Sequence, residues 1–218
     1  MAKDIQAIIF DFDGTLINSV DVLLEMFLED GRKFGGTVTK EDFIRLNGLR
    51  VMTGVKILIR EKKLKRLAVA RMILRARKAR RKVMEETTIY PHVDECLSDL
   101  KGRYRIAMAT SGDRGHVGHF MQKYKLRQYF EHIVTKEDVS QRKPNPEPYL
   151  KAAAHLGIDP AHCLAVEDSP NGLRAAKAAG LQTCVVLHFT PKSWFTGDLV
   201  PDHFVDNLAQ LYQEVLSP

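Results

Sequence analysis

Apolar residues fall into short blocks along this chain, and the blocks have two spacings. Residues 5–10, Ile-Gln-Ala-Ile-Ile-Phe, are an almost continuous apolar run, the pattern of a parallel strand buried on both faces. Further strand-like runs occur at 105–109, 132–135, 163–166, 183–187 and within 198–206. Between them the spacing changes to three and four. Residues 93–101, 114–124, 149–156, 171–179 and 208–216 read as helices, and Gly180 stops the fourth of these. Strands alternating with helices predict an α/β fold: an open, mainly parallel, doubly wound Rossmann-like sheet with right-handed crossovers.

Residues 17–88 break the alternation. This stretch holds no β-branched run bounded by turn signals. Val22, Leu23, Met26 and Phe27 have helical spacing, and that helix runs out at Gly35-Gly36. Thr39-Lys-Glu-Asp42 has the form of a capping box ahead of Phe43, Ile44 and Leu46. Asn47-Gly48 breaks this second helix, and residues 53–84 read as one or two more. The domains predicted are an α/β core of residues 1–16 and 89–218 with a helical insertion of residues 17–88. The insertion also concentrates the charge. Of the net +6, much lies between Lys56 and Lys82, where thirteen Lys and Arg face one acid, Glu61.

The first strand ends in Asp11-Phe12-Asp13-Gly14-Thr15-Leu16. In extended backbone Asp11 and Asp13 share a face, so two like charges meet at a strand end. They are tolerable only with a cation between them or a proton on one. A calcium loop is excluded, because no acidic ligands follow in the required rhythm and no Glu closes it. In a sheet of this kind ligands bind beyond the carboxyl ends of the strands. Three more polar points fall there: Thr110-Ser111-Gly112, Lys143, and Glu167-Asp168. Carboxylate oxygens suit Mg²⁺. A hydroxyl beside free backbone N–H groups suits a phosphate, as does a lysine. An aspartate can attack phosphorus.

Asp11-Phe-Asp-Gly-Thr-Leu16, Thr110, Lys143-Pro144 and Glu167-Asp168, in that order, resemble the four motifs of the haloacid dehalogenase-like (HAD) phosphohydrolases. The inserted helices resemble the cap of the subfamily that contains phosphoglycolate phosphatase and β-phosphoglucomutase. The resemblance implies that Asp11 is the nucleophile and a Mg²⁺ ligand. It makes Asp13 the general acid and base, with its backbone carbonyl on the metal. It gives Thr110, Ser111 and Lys143 to the phosphoryl group, Asp168 to the metal, and Glu167 to the metal directly or through water. Asn47 and Arg50 fall where such a cap presents its loop to substrate. The expected activity is Mg²⁺-dependent hydrolysis of a small phosphomonoester, phosphoglycolate-like or sugar-phosphate-like, through an aspartyl-phosphate.

The alternative within enzymes is a phosphosugar mutase. β-Phosphoglucomutases usually carry a His where Leu23 stands and Lys-Gly-x-x-Arg where this chain has Asn47-Gly48-Leu-Arg50-Val51, and both departures count against it. The alternative of another class is a nucleic-acid-binding module that uses the basic insertion. Residues 56–82 lack aromatic side chains that could stack on bases, so nucleic acid is not the expected partner. The ordinary reading of that stretch is a solvated helix face. The eight His residues show no metal-ligand spacing and read as solvated or core residues. No run of 18 apolar residues is present, so no membrane span is expected. The absence of a signal-peptide pattern and three scattered cysteines, Cys96, Cys163 and Cys184, point to the cytoplasm. A monomer is the default expectation.

Overall fold

The computed structural model describes residues 4–33, 36–46, 51–61 and 82–216. Strand β1 (Ala7–Phe10) is fully buried along its length. Burial on that scale contributes about 1.5–3 kcal/mol for each large apolar side chain. It pairs in parallel with β2 (Arg105–Ala109) on one side and β4 (Cys163–Glu167) on the other. The remaining strands are β3 (His132–Val134), β5 (Gln182–Val186) and β6 (His203–Val205). All six are parallel, in the order β3-β2-β1-β4-β5-β6. The winding direction therefore reverses between β1 and β4, and the carboxyl ends of those two strands border the crevice where such sheets take ligands.

Contacts divide the chain into two compact units, residues 1–17 with 89–218, and residues 18–88. In the first unit the core on one side of the sheet is built from small residues. Ala107, Ala109, Ala152, Ala153, Ala165 and Ala176 are buried together with Tyr149 and Leu156. Such small side chains let helix Glu147–Leu156 lie close to β1, β2 and β3. The last strand, His203–Val205, lies within the expected 198–206 and follows a 3₁₀ turn at Gly197–Leu199. The closing helix is shorter than the pattern suggested: three α-helical residues, Ala209–Leu211, pass into a π-helical turn, Tyr212–Leu216.

In the second unit helix α1 (Ser19–Lys33) is followed by α2 (Lys40–Leu46) and α3 (Val51–Arg60), and residues 82–86 are helical. The capping box forms reciprocally. The Asp42 backbone N–H donates to Thr39 Oγ1, and the Thr39 N–H donates to Asp42 Oδ2 at 3.0 Å. The Arg45 guanidinium grips both oxygens of Glu61, each at 2.7 Å. Leu58 is buried against Phe27, Val38, Leu46 and Ile59. Asn47, Arg50 and most of the basic stretch, including Arg71, Arg75, Lys78 and Arg81, lie outside the described residues. Among the described residues no helix is long and apolar enough to cross a membrane.

Candidate active site

Four charged side chains meet at the crevice. Asp11 is the first residue past β1, and its N–H donates to the Val166 carbonyl at 2.9 Å, which sets it beside Glu167 at the end of β4. Asp168 follows directly, and Ser169 then caps the helix Pro170–Ala178. Lys143 comes from the loop before helix Glu147–Leu156. Its ammonium donates to Asp11 Oδ1 at 2.6 Å, to Glu167 Oε1 at 2.6 Å and to the Tyr149 hydroxyl at 3.1 Å. All three of its N–H donors have an acceptor. Tyr149 donates in turn to Glu167 Oε1 at 2.7 Å, and Glu167 Oε2 accepts from the Ser169 hydroxyl at 3.2 Å.

These groups are almost wholly removed from water: Lys143 is 5% exposed, Asp11 7%, and Glu167 and Asp168 1% each. Burial raises the Asp11 carboxyl to about 8, with Glu167 adding to the effect and Lys143 opposing it. Burial also holds Asp168 well above the ordinary carboxylate range, aided by Asp11 and Glu167. For Lys143 burial acts to lower the pKa, but Asp11 and Glu167 together outweigh it, and the net shift is upward. One ammonium thus serves three buried carboxylates, and positive charge is in deficit.

That deficit has a defined place. Among the described residues, Asp11, Glu167 and Asp168 bring ligand oxygens within 4.8 Å of one another. Asp168 Oδ2 is buried with no hydrogen-bond partner. An all-oxygen donor set, a deficit of positive charge and an orphaned carboxylate oxygen fit a hard divalent cation.

Asp13 lies close enough to this set for its charge to act on Asp11 and Asp168, but its hydrogen-bond partner is a different one. The strand ends at Phe10, and Asp13 forms an isolated bridge to Ile17. Asp13 Oδ1 lies 2.9 Å from His116 Nε2. Its other oxygen packs on Gly112: a Cβ built there would sit 3.2 Å from both Asp13 Oδ2 and Thr110 Oγ1. Thr110 directly follows β2, and its hydroxyl accepts from the Gly112 N–H at 2.9 Å. Ser111 is half-buried between them. Thr110, Gly112 and Asp13 thus form a second corner of the site, next to the start of helix Arg114–Lys123.

Residues 8–186 match the family model for haloacid dehalogenase-like hydrolases. The chain belongs to that family. YhcW of Bacillus subtilis strain 168, provisionally named a phosphatase, is 35% identical to this hydrolase over 212 residues, 95% of this chain and 94% of the relative. A Clostridium perfringens protein provisionally named pyrophosphatase PpaX is 30% identical over 209 residues, 95% of each. The crystal structure of a CbbY mutant from Rhodobacter sphaeroides, in complex with xylulose-(1,5)bisphosphate, is similar at a TM-score of 0.74 and 26% identity, covering 95% of this chain and 96% of that one. The hydrolase is therefore a phosphohydrolase with the α/β fold of its family.

Sequence reasoning missed three participants. Tyr149 carries an apolar ring that reads as core, and only its hydroxyl betrays the Lys143–Glu167 pair. Gly172 lies against Glu167, which no local pattern announces. His116 packs between Phe12 and Phe120 as a core histidine would, but it also meets Asp13 across 103 positions of chain, which spacing did not announce.

Proposed function

We propose that this phosphohydrolase is a Mg²⁺-dependent phosphatase of small phosphorylated metabolites. The observation that carries the reading is the buried Asp11–Lys143–Glu167–Asp168 cluster with its orphaned Asp168 oxygen at the sheet's crevice. Asp11 and Asp168 would hold the metal directly, with the Asp13 carbonyl, while Glu167, already engaged by Lys143, Tyr149 and Ser169, would act through water. Bound there, the cation would supply charge to the transferring phosphoryl group and keep Asp11 ionised.

Asp11 attacks phosphorus, and the bond from phosphorus to the ester oxygen breaks. Asp13 gives its proton to that leaving oxygen. It then takes a proton from water, which attacks the aspartyl-phosphate. The bond from phosphorus to Asp11 breaks, and inorganic phosphate leaves. Lys143, Thr110 and Ser111 neutralise and orient the phosphoryl oxygens, the main demand of such a transfer. Residues 17–88 would select substrate, with Asn47 and Arg50 as the substrate-reading residues, and the basic stretch would draw in anions.

A sugar phosphate is favoured by the sugar bisphosphate bound to CbbY. The name of the Clostridium relative favours a second reading, pyrophosphate. Both use the same residues, and turnover of each candidate with Mg²⁺ separates them. Asp11→Asn should abolish hydrolysis of p-nitrophenyl phosphate while the thermal transition stays cooperative. Substantial activity in that variant would overturn the assignment.

A further inference from the structure

His116 is the third residue of helix Arg114–Lys123, and its imidazole is clamped. The ring stands edge-on to Phe12, centroids 6.0 Å apart at 85°, and to Phe120, 5.1 Å apart at 73°. Its backbone N–H donates to the Asp113 carboxylate at 2.8 Å, and Lys136 reaches the other Asp113 oxygen at 3.2 Å. The His116 side chain is 14% exposed. Aromatic rings on two sides and a capped helix start leave the imidazole little rotational freedom. Its Nε2 ends 2.9 Å from Asp13 Oδ1.

We propose that His116 is the positioning residue of Asp13: its Nε2–H holds Oδ1, so that the transferable proton resides on Oδ2. This rests on the reading of Asp13 as the proton donor. Asp13 lies past the strand, in an isolated bridge to Ile17, and its side chain is 29% exposed. An aspartate so placed would otherwise sample several rotamers. With the imidazole on Oδ1 and the Gly112 backbone behind Oδ2, one orientation remains. Oδ2 then lies on the side of Thr110, where the phosphoryl group is expected. The same geometry accounts for glycine at 112, because any side chain would crowd Oδ2 and the Thr110 hydroxyl. His116 exchanges no proton with substrate. The proton passes between Asp13 Oδ2 and the leaving oxygen, then between water and Oδ2.

A positioning role has a signature that a packing role lacks. Acid catalysis matters most for a poor leaving group, and it contributes roughly 10²–10⁴-fold. The test compares kcat/KM for phenyl phosphate and p-nitrophenyl phosphate with Mg²⁺ in wild type, His116→Phe, His116→Gln and Asp13→Asn. His116→Phe fills the space without a donor and should lose about tenfold or more on phenyl phosphate but less than about threefold on p-nitrophenyl phosphate. His116→Gln keeps an N–H at the end of its side chain and should recover most of the loss. Equal losses on both substrates, no loss, or no recovery with Gln would each overturn the proposal. If the Phe variant fails to fold by circular dichroism, His116→Leu serves the same comparison. Asp13→Asn separates the two levels of the argument. If it keeps phenyl phosphate turnover, the reading of Asp13 is wrong. If it loses that turnover while His116→Phe does not, only the role of His116 is wrong.

Discussion

Gly172 offers a test of the acidic cluster in which the sign of the effect decides. It is the third residue of helix Pro170–Ala178, and its N–H donates to the capping hydroxyl of Ser169 at 3.1 Å. Replacing a helical glycine by alanine ordinarily stabilises by about 0.5–1 kcal/mol. Here a Cβ would stand 1.8 Å from Glu167 Oε1, 2.0 Å from Cδ and 2.1 Å from Oε2. The carboxylate would have to move by more than an ångström in a site where Lys143, Tyr149 and Ser169 already hold it. Overpacking of this kind costs about 1–3 kcal/mol. Gly172→Ala should therefore lower stability by about 1–2 kcal/mol net of its better helix propensity, and lower the melting temperature by roughly 2–8 °C at the 2–4 °C per kcal/mol of a chain this size. Gly118→Ala is the control. Gly118 lies in the middle of helix Arg114–Lys123 with nothing within 4 Å of its Cβ position, so the same change there should raise the melting temperature by about 1–4 °C. Calorimetry reads both, and p-nitrophenyl phosphate turnover should fall in Gly172→Ala alone. If the two variants rise together, Glu167 is not where the packing requires it, and the site geometry is refuted.

The remaining predictions concern charge. Burial holds Asp11 at about 8 and Asp168 well above the ordinary range, whereas both ionise near 4 in the unfolded chain. Between about pH 4 and 8 unfolding therefore releases protons, and the metal-free protein should lose stability as pH rises. Mg²⁺ held by these carboxylates would remove that penalty, so its stabilising effect in a thermal-shift titration should grow from about pH 5.5 to about pH 8; a gain independent of pH would count against a metal there. Lys143→Met strands Asp11 and Glu167 without their shared ammonium and should cost about 3–5 kcal/mol by denaturant unfolding. A loss under about 1 kcal/mol would mean that the ion pairs contribute little.

Sequence alone determined the alternation of strands and helices, because the spacing of apolar residues records how many faces of each element are buried. It also brought out Asp11, Lys143, Glu167 and Asp168, since in a parallel sheet residues that end strands or begin the next loops converge on one edge. The Thr39–Asp42 cap was legible for a related reason: its partners are three residues apart. Tertiary structure alone decided how the site is divided. Asp11 joins Lys143 and the β4 carboxylates, while Asp13, two positions on, meets His116 and Gly112, which belong to a distant helix and the loop before it. Tyr149, Gly172 and His116 entered the site only through helices packed on the sheet. Their contacts depend on the rotation of each helix and the reach of each side chain, and periodicity along a chain carries neither.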